Sequence, residues 1–368
     1  MLFCEKAHPV SFRTLGAGVK INRFPNTSSI CRKDRLIENY HPMQKKHGRK
    51  AFNFIPKVKI ITQASLLCHT YSQTYNLPEQ EKLLKLAMKK QEARTPIALH
   101  HPTSLFQGIW IVKPPGDSCG KGIRLVTNPD DVLDSRLILV EWHDPSRASI
   151  KLPVQNLIVQ RYISNPFLIN GLKFDLRLYV LITSIDPIKV YLHDDGLVRF
   201  ATQPFSTDDL DNKFIHLTNY AINKNTEEFV QNENPEDFAG HKWSVKTFRR
   251  YLECQGHDWG RVWNRIRDIV SKTVLCGHNG LLKNFKTEAQ SDYSCYKIFG
   301  IDIFLDDKLK PWLLEFNSFP SLCEASLDRH VNEPMIAEAF NIAGFHLTAK
   351  IEAKKAEAKA RKTEIYKR

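Results

Sequence analysis

The stretch GIDIFLDDKLKPWLLEFNSFPS, residues 300–321, carries the pattern that decides the fold. Two apolar runs, Lys297 to Leu305 and Pro311 to Phe316, are separated by the polar segment Asp306 to Lys310. Short apolar runs bounded by turn residues are typical of paired strands. The stretch therefore predicts a β-hairpin.

The hairpin brings three oxygen-bearing side chains together. A turn centred near residue 308 or 309 places Asp302 opposite Glu315. Residues two apart on a strand share a face, so Asn317 points the same way as Glu315. Mg²⁺ takes a few carboxylate oxygens together with substrate phosphates and water. The set predicts a magnesium site, and the alternative is solvated strand carboxylates, which the apolar neighbours disfavour.

A second pattern is the glycine-bearing loop in WIVKPPGDSCGKGI, residues 110–123. Lys113 leaves an apolar strand, and Gly116, Gly120 and Gly122 follow it. Backbone N–H groups of such a loop can approach phosphate oxygens, with a lysine adding charge. The run is neither a Walker loop nor GxGxxG, so a plain hairpin remains an equal alternative.

Charged residues alternate along one predicted strand, residues 174–183. Lys173, Asp175 and Arg177 share one face, and Arg199 follows a further strand. Such a face is either an exposed sheet surface or the wall of an active site. Arginine suits the wall of an active site, because its guanidinium pairs with carboxylate or phosphate in a bidentate way.

Two polar segments carry weaker information. LIVQRYISNPF, residues 157–167, predicts a strand that ends in a polar bend, and taken alone it is a structural pattern. FIHLTNYAINKN, residues 214–225, contains His216, which is more often structural than catalytic. No Ser-His-Asp or Cys-His arrangement has a supporting context.

The remaining elements follow from hydrophobic spacing and breaker residues. The predicted helices and strands are: helix Asp34 to Met43; an interrupted strand Phe52 to Ile61; a two-piece helix Ser65 to Lys90; strands 109–114, 123–127, 137–140, 157–160 and 188–192; helices 243–255 and 259–282; and helix Pro334 to Ala343.

Composition limits the classes of protein to consider. The 368 residues carry a net charge of +13, which favours a polyanionic partner such as an acidic protein tail, nucleic acid or an anionic membrane. No stretch approaches the roughly 18 apolar residues of a membrane span. The N-terminus lacks a signal-peptide core, so it is either a cytosolic start or the cut edge of a longer protein. Eight cysteines without a CxxC pair indicate a reduced intracellular chain.

In this order, the motifs resemble the tubulin tyrosine ligase-like family over roughly residues 20 to 345. The matching runs are KPPGDSCGKGI, QRYI, NPFLINGLKFDLR, GLVRFA, HLTNY and the 300–321 hairpin, and INRFP, RKDRL and AFNIAGF are closest to the polyglutamylases. The resemblance implies an α+β, ATP-grasp fold with ATP between the central and C-terminal lobes. We expect an N-terminal lobe at 1–104, a central lobe at 105–185, a C-terminal lobe at 186–347 and a basic helical tail at 348–368.

The resemblance also implies a set of site residues. ATP contacts fall on Lys113, Cys119, Gly120, Gln160, Arg161, Tyr162, Ile163, Lys173, Phe174, Asp175, Thr218 and Asn219. Mg²⁺ ligands fall on Asp302, Glu315 and Asn317, and the pocket for free glutamate on Arg199, Tyr220, Ala221 and Lys242. Arg177, Lys173 and Lys33 are the implied catalytic residues. Family members often carry Arg where Cys119 stands and Ser where Ala221 stands, which leaves the choice of amino acid open.

The implied activity is an ATP-dependent ligation of free glutamate to a side-chain carboxylate of an acidic tail, such as that of tubulin, through an acyl phosphate. Alternatives are a tyrosine or glycine ligase of the same family, or a non-catalytic microtubule-binding protein. We expect a monomer in the cytoplasm or on the cytoskeleton, with the cilium or basal body as candidate places. No RNA-binding motif or zinc finger supports a nucleic-acid partner.

Overall fold

The computed structural model describes residues 12–14, 19–61, 108–115, 120–127, 137–140, 150–153, 157–289, 291, 294–322 and 325–344. Side chains are described for these residues except 14, 59–61, 137–140, 150–153 and 157. The predicted helix Ser65 to Lys90, the position of Cys119 and the basic tail lie outside the described residues.

Eleven strands are present in the described part of the chain. They are β1 Val58–Ile61, β2 Trp110–Lys113, β3 Arg124–Val126, β4 Leu137–Val140, β5 Ile150–Pro153, β6 Leu157–Arg161, β7 Phe174–Ile185, β8 Ile188–Phe200, β9 Lys242–Ser244, β10 Lys297–Leu305 and β11 Pro311–Asn317.

Seven α-helices and one 3-10 turn, Phe12–Thr14, are present in the same part. The helices are α1 Ser28–Cys31, α2 Lys33–His47, α3 Lys213–His216, α4 Tyr220–Asn223, α5 Val245–Cys254, α6 Trp259–Glu288 and α7 Ser326–Ala343. The fold is thus a mixture of helices and antiparallel sheets. Within these residues no helix combines the length and the apolar character that a membrane crossing needs.

A five-stranded antiparallel sheet in the order β11-β10-β7-β8-β9 forms the centre of the molecule. The predicted 300–321 hairpin is confirmed: β10 and β11 pair with Asp302 opposite Glu315, and a bulge follows Asp302. The pairing predicted for the strands around Asp186 and Pro187 is confirmed as well. The register of the β7–β8 pair shifts twice, between Leu178 and Val180 and between Ile182 and Ser184.

One face of this sheet packs on helices α5 and α6. Helix α6 turns the buried residues Val262, Ile266, Ile269 and Val270 toward it, as the 3.6-residue period predicts. Its N-terminus is capped by Asp258, whose carboxylate accepts a hydrogen bond from the backbone N–H of Arg261 at 3.0 Å. On the opposite face, helix α7 packs against Tyr179 and Leu197, and the polar side chains of the site described below lie beside it.

A second antiparallel sheet has the order β1-β6-β2-β3, and β4 and β5 form a two-stranded pair. The four-stranded sheet pairs Val58 with Gln160 and Ile111 with Gln160 on either side of β6. It brings the end of β2, where Lys113 lies, next to β6. The glycine-bearing loop and the polar bend therefore belong to neighbouring strands, although they are well separated in sequence.

Several predicted elements have different limits: α2 spans Lys33–His47, β8 extends to Phe200 and α6 to Glu288, and two further elements begin elsewhere than predicted. The strand predicted from Phe52 begins only at Val58, because the Phe52 carbonyl accepts the Tyr40 hydroxyl and the Phe54 carbonyl accepts the N–H of Leu313. The helix predicted from Pro334 begins at Ser326. Pro334 lies inside helix α7, and the burial of Leu327, Val331 and Met335 holds the earlier turns in place.

Candidate active site

Charged side chains form a row across the polar face of the five-stranded sheet. Asp302 on β10 faces Glu315 on one side and Arg177 on the other. On the next pairs, Asp175 faces Arg199, and Arg199 faces Lys242. We call this set the charged row: Glu315, Asp302, Arg177, Asp175, Arg199 and Lys242. The predicted strand face is therefore a charged wall rather than an open sheet surface.

Ion pairs link the centre of the charged row. Arg177 donates to both oxygens of Asp302, with its Nη2 at 3.0 Å from Oδ2. Arg199 donates from Nε to Asp175 at 2.8 Å, and its Nη2 lies 2.9 Å from Oδ2 of Asp302. Burial alone would raise the pKa of Asp302, but the two guanidinium groups hold that pKa well below its usual range. Asp302 is thus an ionised carboxylate in a buried place.

The outer end of the charged row meets the start of helix α2. Lys33 donates from Nζ to Oε1 of Glu315 at 2.9 Å, and the Glu315 side chain is 23% exposed. The two residues are separated by 282 positions in sequence. The pair therefore links the start of helix α2 to β11 at the edge of a cleft.

The cleft lies between the charged row and the four-stranded sheet, and its volume is about 100 Å³. Thirteen of the predicted site residues line it: Lys33, Lys113, Gly120, Gln160, Arg161, Tyr162, Ile163, Lys173, Asp175, Thr218, Asn219, Asp302 and Glu315. Most of the predicted set thus surrounds one space.

Two buried lysines face the cleft with few compensating charges. Lys113 donates to Oε1 of Gln160 at 2.8 Å. Burial, and next the charge of Lys33, lowers the pKa of Lys113 to about 8. Burial lowers the pKa of Lys173 to about 7. Such ammonium groups gain most from an anion placed beside them, because burial has removed their water.

Lys173 is held by a chain of hydrogen bonds. It donates to the Tyr162 hydroxyl at 3.0 Å and to the carbonyl of His216 at 2.7 Å. The Nε2 atom of His216 lies 2.8 Å from the Asp209 carbonyl, which can only accept, so Nε2 carries the proton. Nδ1 then accepts from the Tyr162 hydroxyl at 3.0 Å. Burial lowers the pKa of His216, which agrees with a neutral ring in a structural role.

The glycine-bearing loop approaches helix α4 at Gly120. Gly120 has a φ of +74°, and an added Cβ would lie 2.6 Å from Ile222 Cδ1 and 3.2 Å from Asn219 Oδ1. Only glycine combines this backbone conformation with so close an approach. Asn219 is the N-cap residue of α4. The loop therefore lies against Asn219, which is one of the predicted ATP contacts.

The far end of the charged row contacts helix α7. Lys242 donates to Oδ2 of Asp328 at 2.6 Å, and both side chains are 5% exposed. Its Nζ also lies 3.8 Å from the centre of the Tyr220 ring, a cation–π contact. Ala221 follows on α4 and is exposed. The residues predicted for the glutamate pocket thus lie along one edge, with Lys242 already paired.

Several predicted residues do not line the cleft. Phe174 points into the core, where it contacts Phe200 and Phe248. Arg177 and Arg199 do not line the cleft; they form ion pairs with Asp302 and Asp175, which do. The residues that prediction missed are Asp328, the partner of Lys242, and Phe304, whose ring faces Lys173 at 5.4 Å. Neither belongs to a motif by residue type, so only the tertiary contact identifies it.

The donor set fits Mg²⁺ in chemistry. Asp302 is ionised and Glu315 is its cross-strand neighbour, whereas Asn317, two residues further along β11, does not line the cleft and would offer its side-chain amide oxygen. Across the described residues, no three His, Cys, Asp or Glu side chains come together as a metal site. The set is therefore two carboxylates and one amide, as hard oxygen ligands for a cation that keeps water and phosphate oxygens.

Comparison with known proteins agrees with the motif order. The model of the tubulin-tyrosine ligase family matches residues 13–353. The chain is 37% identical over 340 residues to the human tubulin monoglutamylase TTLL4, covering 92% of this chain and 24% of that protein. It is 34% identical over 342 residues to the mouse tubulin polyglutamylase TTLL5, covering 92% and 22%. It is 35% identical over 327 residues to the mouse tubulin polyglutamylase TTLL6, covering 87% and 33%. The chain therefore spans about a quarter to a third of these relatives.

Proposed function

The chain belongs to the tubulin-tyrosine ligase family, and we propose that it is an ATP-dependent ligase that joins free glutamate to a glutamate side chain of an acidic protein tail. Tubulin is the first candidate acceptor. One observation carries the proposal: the ionised Asp302 and its neighbour Glu315 face the buried amines of Lys113 and Lys173 across one cleft. The relatives named above are glutamylases, which favours glutamate over tyrosine or glycine.

The proposed position of ATP is the cleft between the two sheets. The ammonium groups of Lys113 and Lys173 would neutralise phosphate oxygens, and a phosphate would in turn restore their charged state. The backbone of Gln160 to Ile163 would hold the adenine ring, with Arg161, Phe174, Asp175, Thr218 and Asn219 around the nucleotide. Cys119 and Gly120 would close the loop over it. The lobe limits 1–104, 105–185, 186–347 and 348–368 belong to the same proposal.

Asp302, Glu315 and Asn317 would hold Mg²⁺, which when bound neutralises charge on the transferring phosphoryl group. Arg177 and Arg199 keep Asp302 ionised through their hydrogen bonds, so the carboxylate is ready without a proton loss. Lys33 holds Glu315 at the mouth of the cleft. These residues act by fixed charge and position, which is the main source of catalysis in phosphoryl transfer.

The acceptor carboxylate would take the γ-phosphoryl group of ATP, and the amine of free glutamate would displace phosphate from the resulting acyl phosphate. Arg177 is the proposed contact of the acceptor carboxylate. Arg199, Tyr220, Ala221 and Lys242 are the proposed neighbours of free glutamate. In the described structure the cations of this group are paired with Asp302, Asp175 and Asp328, so the amino acid would join an existing network of charges. We place the reaction in the cytoplasm or on the cytoskeleton and expect a monomer.

The test is incorporation of labelled glutamate, tyrosine and glycine into microtubules by purified protein with ATP and Mg²⁺. We expect glutamate to be incorporated and Glu315→Gln to lower the rate about 100-fold or more, as the loss of one charge-stabilising group in a closed site does. Glu333→Gln is the matched control, because Glu333 is 71% exposed on α7.

Each other outcome has a defined meaning. Tyrosine or glycine incorporation would assign a different ligase of the family. Microtubule binding without any incorporation would indicate a non-catalytic binding protein. Full activity of Glu315→Gln would overturn the metal assignment while leaving the reaction in place.

A further inference from the structure

A second cavity, of about 720 Å³, lies away from the cleft. Its walls are the N-terminal half of α6, the chain after α2 and the turn between β10 and β11. The cations on these walls are Lys50, Arg261, Arg265, Lys272, Lys308 and Lys310, and the carboxylates are Asp258 and Asp268. Six cations against two carboxylates leave a formal excess of four positive charges. We call this cavity the basic groove.

Both carboxylates of the basic groove are already engaged. Asp258 caps helix α6 at the N–H of Arg261. Asp268 pairs with Lys272 at 2.5 Å. Within the described residues, Arg261, Arg265 and Lys308 have no carboxylate at ion-pair distance, and all three are exposed. The groove thus presents positive charge that the described part of the protein does not neutralise.

Like charges meet inside the basic groove. Burial lowers the pKa of Lys310, Asp306 opposes this shift, and the charge of Arg265 adds to it. The Lys310 ammonium also lies over the Trp312 ring, 3.3 Å from its centre. Arg265 and Lys310 come from segments more than 40 residues apart, so the fold brings them together across the groove. Such repulsion is relieved when an anion enters.

The walls of the basic groove are fixed by hydrogen bonds. Lys272 donates to the carbonyl of Ala51 at 2.8 Å, which ties α6 to the chain after α2. The N–H groups of Lys308 and Lys310 both donate to Oδ1 of Asp306, which orders the turn. A ligand would therefore meet a preformed surface, and little conformational entropy would be lost on binding.

We propose that the basic groove is a docking site for an acidic, extended polypeptide segment, adjacent in the acceptor protein to the glutamate that enters the cleft. The part of this inference that names the acceptor rests on the proposed function. Charge complementarity identifies the chemistry of the segment, because clustered cations attract carboxylate-rich chains over about one Debye length.

Strand β10 and its turn connect the two sites. Strand β10 ends at Leu305, three residues beyond Asp302, which is about 10 Å along a strand. The turn with Lys308 and Lys310 follows immediately. An extended chain covers about 3.3 Å per residue, so the acceptor needs more than about three residues between its contacts in the two sites.

The lining of the groove favours a polypeptide over nucleic acid. The aromatic rings among its described lining residues are Phe54, which is 4% exposed, and His257, whose ring packs edge-on against Phe167. Single-stranded nucleic acid binds with comparable charge but also stacks its bases on exposed aromatic rings. A carboxylate-rich peptide needs only the cations.

The test is binding of a fluorescent poly-glutamate peptide to the purified chain, measured by anisotropy without ATP. The groove variant is Arg261→Glu with Arg265→Glu, and the matched control is Lys283→Glu, an exposed lysine further along α6. We expect the groove variant to weaken peptide binding about tenfold, because two attractive contacts between an arginine and a peptide carboxylate become repulsive. The control should change binding less than about twofold.

A second measurement separates this inference from the proposed function. With short acidic acceptors that cannot reach the groove, the groove variant should retain its kcat/KM, and with long acceptors its KM should rise while kcat is retained.

Equal peptide binding by the wild type and the groove variant would overturn the inference, even if glutamate transfer proceeds. Displacement of the peptide by an oligothymidine of equal charge at lower concentration would overturn it in favour of a nucleic-acid groove. Should the double variant fail to fold by circular dichroism, Arg261→Gln with Arg265→Gln gives the same test.

Discussion

The charged row and the basic groove both concentrate charge, but in opposite ways. In the charged row, Asp302 and Arg199 are buried, and each ion has a partner of opposite sign at hydrogen-bond distance. In the basic groove, Arg261 and Arg265 are exposed, and the nearby carboxylates are used elsewhere. Buried charges must be compensated, because their hydration is lost, whereas exposed cations can remain uncompensated in water. The row is therefore suited to fixed chemistry at one point, and the groove to attracting a partner from a distance.

The largest expected effect follows from removing the centre of the charged row. Asp302→Ala leaves the guanidinium groups of Arg177 and Arg199 short of a partner in a buried place. Breaking a buried ion pair costs about 3–5 kcal/mol of unfolding free energy, and we expect activity to be lost with it. Urea unfolding and the glutamate transfer assay measure the two effects. Asp302→Asn keeps the shape of the side chain and removes its charge. If this variant loses as much activity as Asp302→Ala but less stability, the activity depends on the charge of the carboxylate.

The next effect concerns the far end of the row. Asp328→Ala removes the partner of Lys242 where both side chains are 5% exposed, so we expect a loss of about 3 kcal/mol. The double variant Lys242→Met with Asp328→Leu should regain part of this loss, because no buried charge is left alone. Thermal or urea unfolding checks both. An unchanged unfolding midpoint for Asp328→Ala would mean that water reaches Lys242 and Asp328. This end of the charged row would then be hydrated like the basic groove.

The sequence predicts the charged row but not the basic groove, for a physical reason. The hairpin register follows from two apolar runs around a turn centred near residue 308 or 309, so the local pattern alone is enough to pair Asp302 with Glu315. The groove combines residues 50, 261–272 and 308–310, and no local pattern connects them. The cleft is an intermediate case: alternation predicted a charged wall, but the nucleotide contacts came from the family resemblance. Asp328 could not be found, because a buried carboxylate in a helix looks like an exposed one.

A smaller effect tests whether water reaches Lys173 in the cleft. The folded pKa of Lys173 is lowered to about 7 from the usual 10.5. Between those values the unfolded chain binds a proton that the folded chain lacks, so the free energy of unfolding rises with pH through this window. Lys173→Met removes this contribution, at most about 1.4 kcal/mol per pH unit. Urea unfolding between about pH 7 and pH 9, with exposed Lys283→Met as the control, measures the difference in slope. Equal slopes would mean that Lys173 is hydrated in the free protein.

The smallest effect is expected in the basic groove, and its sign is informative. Arg265 is exposed, has no ion-pair partner within the described residues and repels Lys310. Arg265→Gln should change the free energy of unfolding by less than about 0.5 kcal/mol, as exposed substitutions do. Because a repulsion is removed, the change should be toward greater stability, and it should vanish in high salt, which screens exposed charges. Urea unfolding at low and high salt measures it. A loss of stability that persists in high salt would mean that Arg265 has a buried structural contact, and the groove would then resemble the charged row rather than oppose it.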